Sequence, residues 1–438
     1  MTRMKESGID WIGQIPQEWG ISKIKFTTQL NGRIGWQGLT SAEYKEEGPY
    51  LITGTDFHNG TINFETAVHI DEKRWSEASQ IQVENGDLLI TKDGTVGKVA
   101  IISGLDDKAS LNSGVLRIQT IDEIDRRFLY YVLLSDEFWM WFNYTNSGAS
   151  TILHLYQNVF DEFTFTFPQK NEQQKIADFL DKKTSQLDKV KSLLEEQIQK
   201  LKDYCASLIY ETVTKGLDKN VPMKDSGIDW IGQVPQGWRV SRLKYLANKI
   251  GSGKTPLGGS EIFEETGILF IRSQNIYNGL ILLEDKATYI NRNIHQQMIG
   301  TCVKKNDILL NITGASIGRV AKYDLDIEAN VNQHVCIIRS NKYVLPDYLM
   351  YFIMSEFGQF MIKTHQISGN REGLSFENIG NFKIITPGLD YQYEISQYLN
   401  KKMLTINQMI KTKEQQIANI NKQRQTLIYD YVTGKRRV

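Results

Sequence analysis

Residues 4–19 read MKESGIDWIGQIPQEW and residues 223–238 read MKDSGIDWIGQVPQGW, identical at thirteen of sixteen positions and 219 residues apart in a chain of 438. Other segments recur in the same order. GDLLITKDGTVGKVA (86–100) matches NDILLNITGASIGRVA (306–321), LNSGVLRI (111–118) matches VNQHVCII (331–338), and FLYYVLLSDEF (128–138) matches YLMYFIMSEF (348–357). SLIYETVT (207–214) matches TLIYDYVT (426–433), so the offset stays between 219 and 221. Such a period is far too long for a solenoid. It describes a duplicated domain with its connector, and predicts pseudo-two-fold symmetry.

Each half follows one plan. About 165 residues come first, mixing short β-rich runs such as DLLIT and ILLNIT with Gly, Asn and Asp turns. Then comes Pro168 or Pro387, and after it a stretch with no further proline or glycine until Gly216, or between Gly388 and Gly434. Proline suits a helix start and not its interior. Leu180, Leu187, Leu194, Leu201 and Leu208 recur at intervals of seven, as do Leu399, Ile406, Ile420 and Leu427 around the polar Lys413. Val190, Ile198 and Cys205 are read as filling the intervening seam of the first helix, and Met409, Ile410 and Ile417 that of the second. The pattern predicts coiled-coil helices. Helices of some forty residues reach roughly 60 Å at 1.5 Å per residue, more than one domain of this size covers. Each needs a partner, and pseudo-two-fold symmetry makes the pair antiparallel. The expected fold is α+β: two tandem α/β domains separated by two long helices that form an antiparallel coiled coil. The boundaries expected are 1–167, 168–219, 220–386 and 387–438.

Composition excludes several classes. Hydrophobic residues make up 41% and charged residues 23%, as in globular protein, and no apolar run approaches the length of a membrane span. With no apolar signal core near the N-terminus, a cytoplasmic location is expected. Cys205, Cys302 and Cys336 are too few and scattered for a disulfide framework or zinc knuckle. IGSGKTP (250–256) has Asn248 where a phosphate-binding loop needs its first glycine. The six histidines show no metal-ligand spacing, and His334 is matched by Gly114 in the other half. No catalytic residue, cofactor or metal is expected, which favours a binding protein. Net charge is zero, yet residues 1–220 carry 24 Lys and Arg against 32 Asp and Glu, whereas residues 221–438 carry 27 against 19.

The repeated SGIDWIGQ(I/V)PQ(E/G)W, together with GSGKTPLGGS, ILLNITGASIGRVA, NQHVCIIRS and EQQKIADFLDKKTSQLD, resembles the specificity subunit of type I restriction–modification enzymes over the whole chain. The resemblance implies two target-recognition domains, each reading one half of a bipartite, asymmetric site in double-stranded DNA. It implies helices that act as a ruler and as a dock for two methyltransferase subunits, with restriction/translocase subunits completing the enzyme. It further implies a chain that is not itself catalytic. A stand-alone DNA-binding or scaffold protein of a related phage-defence system is the alternative.

Base edges are read by Arg, Lys, Asn, Gln and small hydroxyl side chains, and phosphates by cations, hydroxyls and backbone amides. In the first half the candidates are Arg33, Trp36, Gln37, Thr55, Lys92, Thr95, Lys98, Asn112, Ser113, Ser147, Ser150 and Thr151. In the second they are Ser252, Lys254, Thr255, Arg272, Gln274, Asn275, Thr313, Ser316, Arg319, Gln333, Asn370 and Arg371. Gly94, Gly97, Gly314 and Gly318 are read as tight turns between strands. Trp11, Trp19, Trp230 and Trp238, present in both repeats, are expected to be structural or to help form the methyltransferase dock.

Overall fold

The computed structural model describes residues 3–33, 39–146, 153–256, 258–284, 286–366 and 373–438. The chain divides into two compact units, Met1–Leu194 with Glu414–Val438, and Glu195–Lys413. Both unit boundaries fall inside the long helices, Lys170–Lys215 and Leu389–Val432.

In the first unit, four antiparallel strands run in the order Val99–Ile101, Leu88–Thr91, Val115–Thr120, Thr28–Gly32. A second four-stranded sheet has the order Val68–His69, Lys45–Ile52, Ala109–Leu111, Gln82–Val83. Its Ala109–Leu111 strand lies parallel to Lys45–Ile52. Strand side chains alternate between faces, and here each face meets a different core. Leu88 and Ile90 enter a core with Trp19, Phe128 and Phe142, while Leu89 enters another with Ile52, Ile81 and Leu111. That is why DLLIT reads as unbroken apolar sequence.

The second unit repeats this arrangement. One sheet is ordered Ala247–Ser252, Val335–Ser340, Ile308–Asn311, Val320–Lys322. The other is ordered Tyr289–Ile290, Ile268–Ile271, Ala329–Val331, Cys302–Val303, again with one parallel pair. Ile308 and Leu310 face one core, Leu309 the other. Each unit also buries one carboxylate against an arginine of the central sheet: Asp87 with Arg117 at 2.9 Å, and Asp307 with Arg339 at 2.7 Å.

A glutamine fixes each long helix at its start. Gln173 donates to the carbonyl oxygen of Pro168 at 2.9 Å and accepts from the Asp125 amide at 2.8 Å. Gln392 donates to Pro387 O at 3.0 Å and accepts from Leu345 N at 2.8 Å. Within the first unit the helical segments run antiparallel: Phe179 meets Tyr431 at 4.6 Å between ring centroids, and Arg424 reaches Asp188 at 3.5 Å. In the second unit Lys413 donates to Gln197, and Tyr391 Oη accepts from Leu217 N at 2.8 Å, the same antiparallel sense. Leu180 and Leu399 are fully buried, Ile406 is 4% exposed, and Leu187, Leu194, Leu201, Leu208, Ile420 and Leu427 are half-buried.

Two seam assignments from the sequence are corrected. Val190 is 46% exposed and Met409 50% exposed. A coiled-coil seam alternates steps of three and four. Ile198 and Cys205 lie four residues after Leu194 and Leu201, so the matching position after Leu187 is 191, and Val190 is one residue short of it, about 100° around the helix. Met409 is displaced from Ile410 in the same way.

The repeated opening motif receives a helix end. In the first unit Ile428, Val432 and Thr433 are buried with Ile12, Ile15 and Trp19, and Tyr429 Oη donates to Trp11 O at 2.7 Å. In the second, Ile209 and Val213 join Val234 and Trp238. Gly434 and Gly216 end the helices at φ values of 72° and 82°, where a side chain is strained. A Cβ on Gly434 would also sit 2.4 Å from Pro16 Cδ. Thus LIY…VT and SGIDWIGQ…W recur together because each is the other's packing partner. Trp19 and Trp238 lie inside these contacts, whereas Trp230 is 45% exposed.

Candidate nucleic-acid interface

The loops at one end of the two sheets are tied into a frame that is the same in both units. In the first, Asn112 N donates to Ile52 O at 2.9 Å, and Asn112 Oδ1 accepts from Gly114 N at 3.1 Å. In the second, Asn332 N donates to Ile271 O at 3.1 Å, and Asn332 Oδ1 accepts from His334 N at 3.2 Å. Asp56 accepts from Thr53 N at 2.7 Å, as Asn275 accepts from Arg272 N at 2.9 Å. Leu155 N bonds Lys92 O at 2.9 Å, as Leu374 N bonds Ile312 O at 3.0 Å. Gly94, Gly97, Gly314 and Gly318 all have positive φ, between 70° and 87°, so they are the turn glycines of this frame.

Side chains on the frame differ. In the first unit Thr55, Lys98 and Ser113 are exposed and Lys92, Thr95 and Asn112 half-buried. Thr55 shares a hydrogen bond with Thr53 at 2.7 Å, and Thr95 Oγ1 and Lys98 Nζ both reach Gly54 O, at 3.2 and 3.4 Å. His154 Nδ1 lies 2.6 Å from Asp93 Oδ1. These loops form one continuous edge. Arg33 does not join it: 5% exposed, it donates through Nε to Leu111 O and through Nη2 to Ser110 Oγ, both at 2.9 Å. Burial first, then Arg74, lowers its affinity for a proton, with Glu43 opposing. In this conformation Arg33 braces the sheet interior rather than the loop edge.

In the second unit Lys254, Thr255, Gln274 and Gln333 are exposed, and Ser252, Thr313 and Ser316 half-buried. Gly253 passes so near the Val331 carbonyl that a Cβ would lie 1.7 Å from it, which explains the glycine in GSGK. Thr313 Oγ1 contacts His334 Nδ1, and Gln333 Nε2 lies 3.0 Å from His334 Nε2. Asn275 is fully buried, its amide donating to Leu282 O and Lys286 O at 2.9 and 3.0 Å, so it holds a turn and offers no edge outward. Arg272 is engaged by Thr288 Oγ1 at 2.7 Å and lies over Phe263. Arg319 lies over the Tyr277 ring at 5.1 Å, a cation–π contact on the flank of the loop edge. Trp36, Gln37, Ser147, Ser150, Thr151, Asn370 and Arg371 lie outside the described residues.

Asp93, His154 and Tyr277 were missed in the sequence. Asp93 and His154 are 61 residues apart and meet only through the fold. The available signal was positional: 93 and 313 are matched sites, and an imidazole contacts each, from unmatched loops. Among the described residues no group of three or more His, Cys, Asp and Glu is placed to hold a metal, and no helix is long and apolar enough to cross a membrane.

Comparison with known proteins agrees with the doubled frame. The model of the type I restriction modification DNA specificity domain matches residues 37–202 and again 235–419. The EcoBI type I restriction enzyme specificity subunit of Escherichia coli is 26% identical over 98% of this chain and 89% of its own. The putative MjaX specificity subunit of Methanocaldococcus jannaschii is 23% identical over 98% and 96%. A chain from a solved type I R-M system superposes with a TM-score of 0.71 at 13% identity, covering 96% of this chain and 99% of that one, which shows a shared fold. With the family's domain found in both repeats, the chain belongs to the type I restriction–modification DNA specificity family, as a specificity subunit built from two tandem recognition domains.

Proposed function

We propose that each recognition domain reads one half of a bipartite, asymmetric site in double-stranded DNA through its loop edge, and that the chain supplies specificity to a complex without catalysing a reaction itself. The observation that carries this reading is one backbone frame bearing unlike side chains at matched positions: Thr55 and Gln274, Asp93 and Thr313, Ser113 and Gln333, Gly114 and His334. A shared frame keeps the approach to DNA constant, while exchanged donors and acceptors change the bases selected. On this reading the recognition domains span 1–167 and 220–386. The helical segments 168–219 and 387–438 set the gap and dock two methyltransferase subunits, joined by restriction/translocase subunits in a cytoplasmic complex on DNA. The test replaces residues 20–165 with the equivalent domain of a relative, in cells carrying the whole system. The methylation motif should change in one half-site only, and a change in both would refute independent reading.

A further inference from the structure

We infer that Gln333 reads an adenine in the half-site of the second unit, and that His334 is a positioning residue that holds its amide for the purpose. The inference rests on the loop edge being the DNA-reading surface. His334 is held through its backbone and through Nδ1. Its amide donates to Asn332 Oδ1 at 3.2 Å, its carbonyl oxygen accepts from Ile312 N at 2.9 Å, and its Nδ1 contacts Thr313 Oγ1. Its Nε2 lies 3.0 Å from Gln333 Nε2. An amide nitrogen cannot accept a hydrogen bond, so Gln333 donates and the imidazole Nε2 accepts. A neutral imidazole has one donor and one acceptor, so Nδ1 carries the proton and donates it to Thr313.

With the hydrogen that points away from Oε1 given to His334, the paired edge of the Gln333 amide stays free. The remaining N–H and Oε1 lie side by side, and Gln333 is exposed. A donor and an acceptor so arranged match adenine, whose N7 accepts and whose N6 donates in the major groove. Guanine offers two acceptors there and repels Oε1. A free glutamine turns its amide either way and loses rotamer freedom on binding; one anchored to a ring that Thr313 holds at Nδ1 is already oriented. The first unit carries Ser113 and Gly114 on the same asparagine turn, and a single hydroxyl cannot make the paired contact.

The test uses the full chain in complex with its methyltransferase subunits and a library of duplexes with randomised sequence, selected by binding and sequenced. The wild-type complex should select a two-part motif with adenine fixed at one position that Gln333 controls. Gln333→Ala should relax that preference by roughly 5- to 150-fold, from about 1–3 kcal/mol per bidentate contact. It should leave the other half-site as it was. His334→Ala should weaken the same preference, by less, and no other. An unaltered motif with Gln333→Ala overturns the inference while leaving two-part recognition standing. A uniform loss of binding across all sequences with His334→Ala, the motif intact, overturns its positioning role. A wild-type complex that selects no two-part motif overturns the function reading, and this inference with it.

Discussion

Glu137 is fully buried in the first unit, and neither carboxylate oxygen has a hydrogen-bond partner among the described residues. Burial pushes its carboxyl well above the usual glutamate range. The folded state therefore keeps a proton that the unfolded chain releases, so stability is greatest below the ordinary glutamate value and falls as pH rises through the window up to the raised one. Glu137→Gln removes that dependence. The variant should melt above wild type at pH 8, with the gap narrowing as pH falls toward 4.5; thermal unfolding across that range measures it, and parallel curves would contradict it. The sequence hints at the oddity, since SDEF (135–138) has one residue more than its counterpart SEF (355–357). Residue type alone misled elsewhere. Arg33 and Asn275 have the donors that DNA readers use, yet donors serve equally inside a fold, and only burial tells the uses apart. His334 is discounted in the sequence only as a catalytic candidate, because Gly114 takes its place in the other half; the imidazole of the first unit, His154, reaches Asp93 from a different loop.

At the scale of elements, the helices were the most legible part of the chain. A proline start, absent glycine and leucines every seventh residue locate both to within a few residues of Lys170–Lys215 and Leu389–Val432. Which residues fill the second line of the seam was less legible, because half-buried Lys191 and Arg424 stand where that line would carry apolar side chains, while the apolar Val190 and Met409 lie one residue away from it. The buried glutamines at the helix starts were invisible for a similar reason, lying in polar runs such as EQQ. If the helices set the gap, inserting seven residues after Leu194 and after Lys413 keeps the seam in phase and adds about 10 Å to each. The methylation motif of cells carrying this variant should keep both half-sites, with the gap longer by about three base pairs at roughly 3.4 Å each. DNA affinity should drop, since three base pairs also turn the half-sites by roughly 100° about the duplex. An insertion of four should disrupt the pairing and abolish modification. Full activity at an unchanged gap would show that the helices are no ruler.

For the whole molecule, the sequence announced a duplication but not its closure. The seat at residues 4–19 is filled by residues 427–434, and Arg437 bonds Glu18 while Arg3 O accepts from Gln17 N at 2.9 Å. Residues 3 and 437 thus lie at one place, and the exposed segment around Lys219 in the second unit is its counterpart. A chain joined from residue 438 to residue 3 by a short Gly/Ser linker and opened between Lys219 and Asn220 should fold, unfold near the parent temperature and keep both half-sites. Calorimetry and the methylation motif check this, and loss of cooperative unfolding would refute it. The same contact imposes a waiting time on synthesis. Trp11 and its partner Tyr429 are 418 residues apart. At about 5–20 residues per second, the ribosome delivers the second roughly 20–80 seconds after the first. The end of the central helix, LIYETVT (208–214), emerges about midway and is nearly the same shape as the rightful occupant. For tens of seconds the nascent chain therefore holds an open apolar socket and a near-copy of its plug, and correct assembly depends on the copy being claimed by its own socket at 223–238 as that motif emerges.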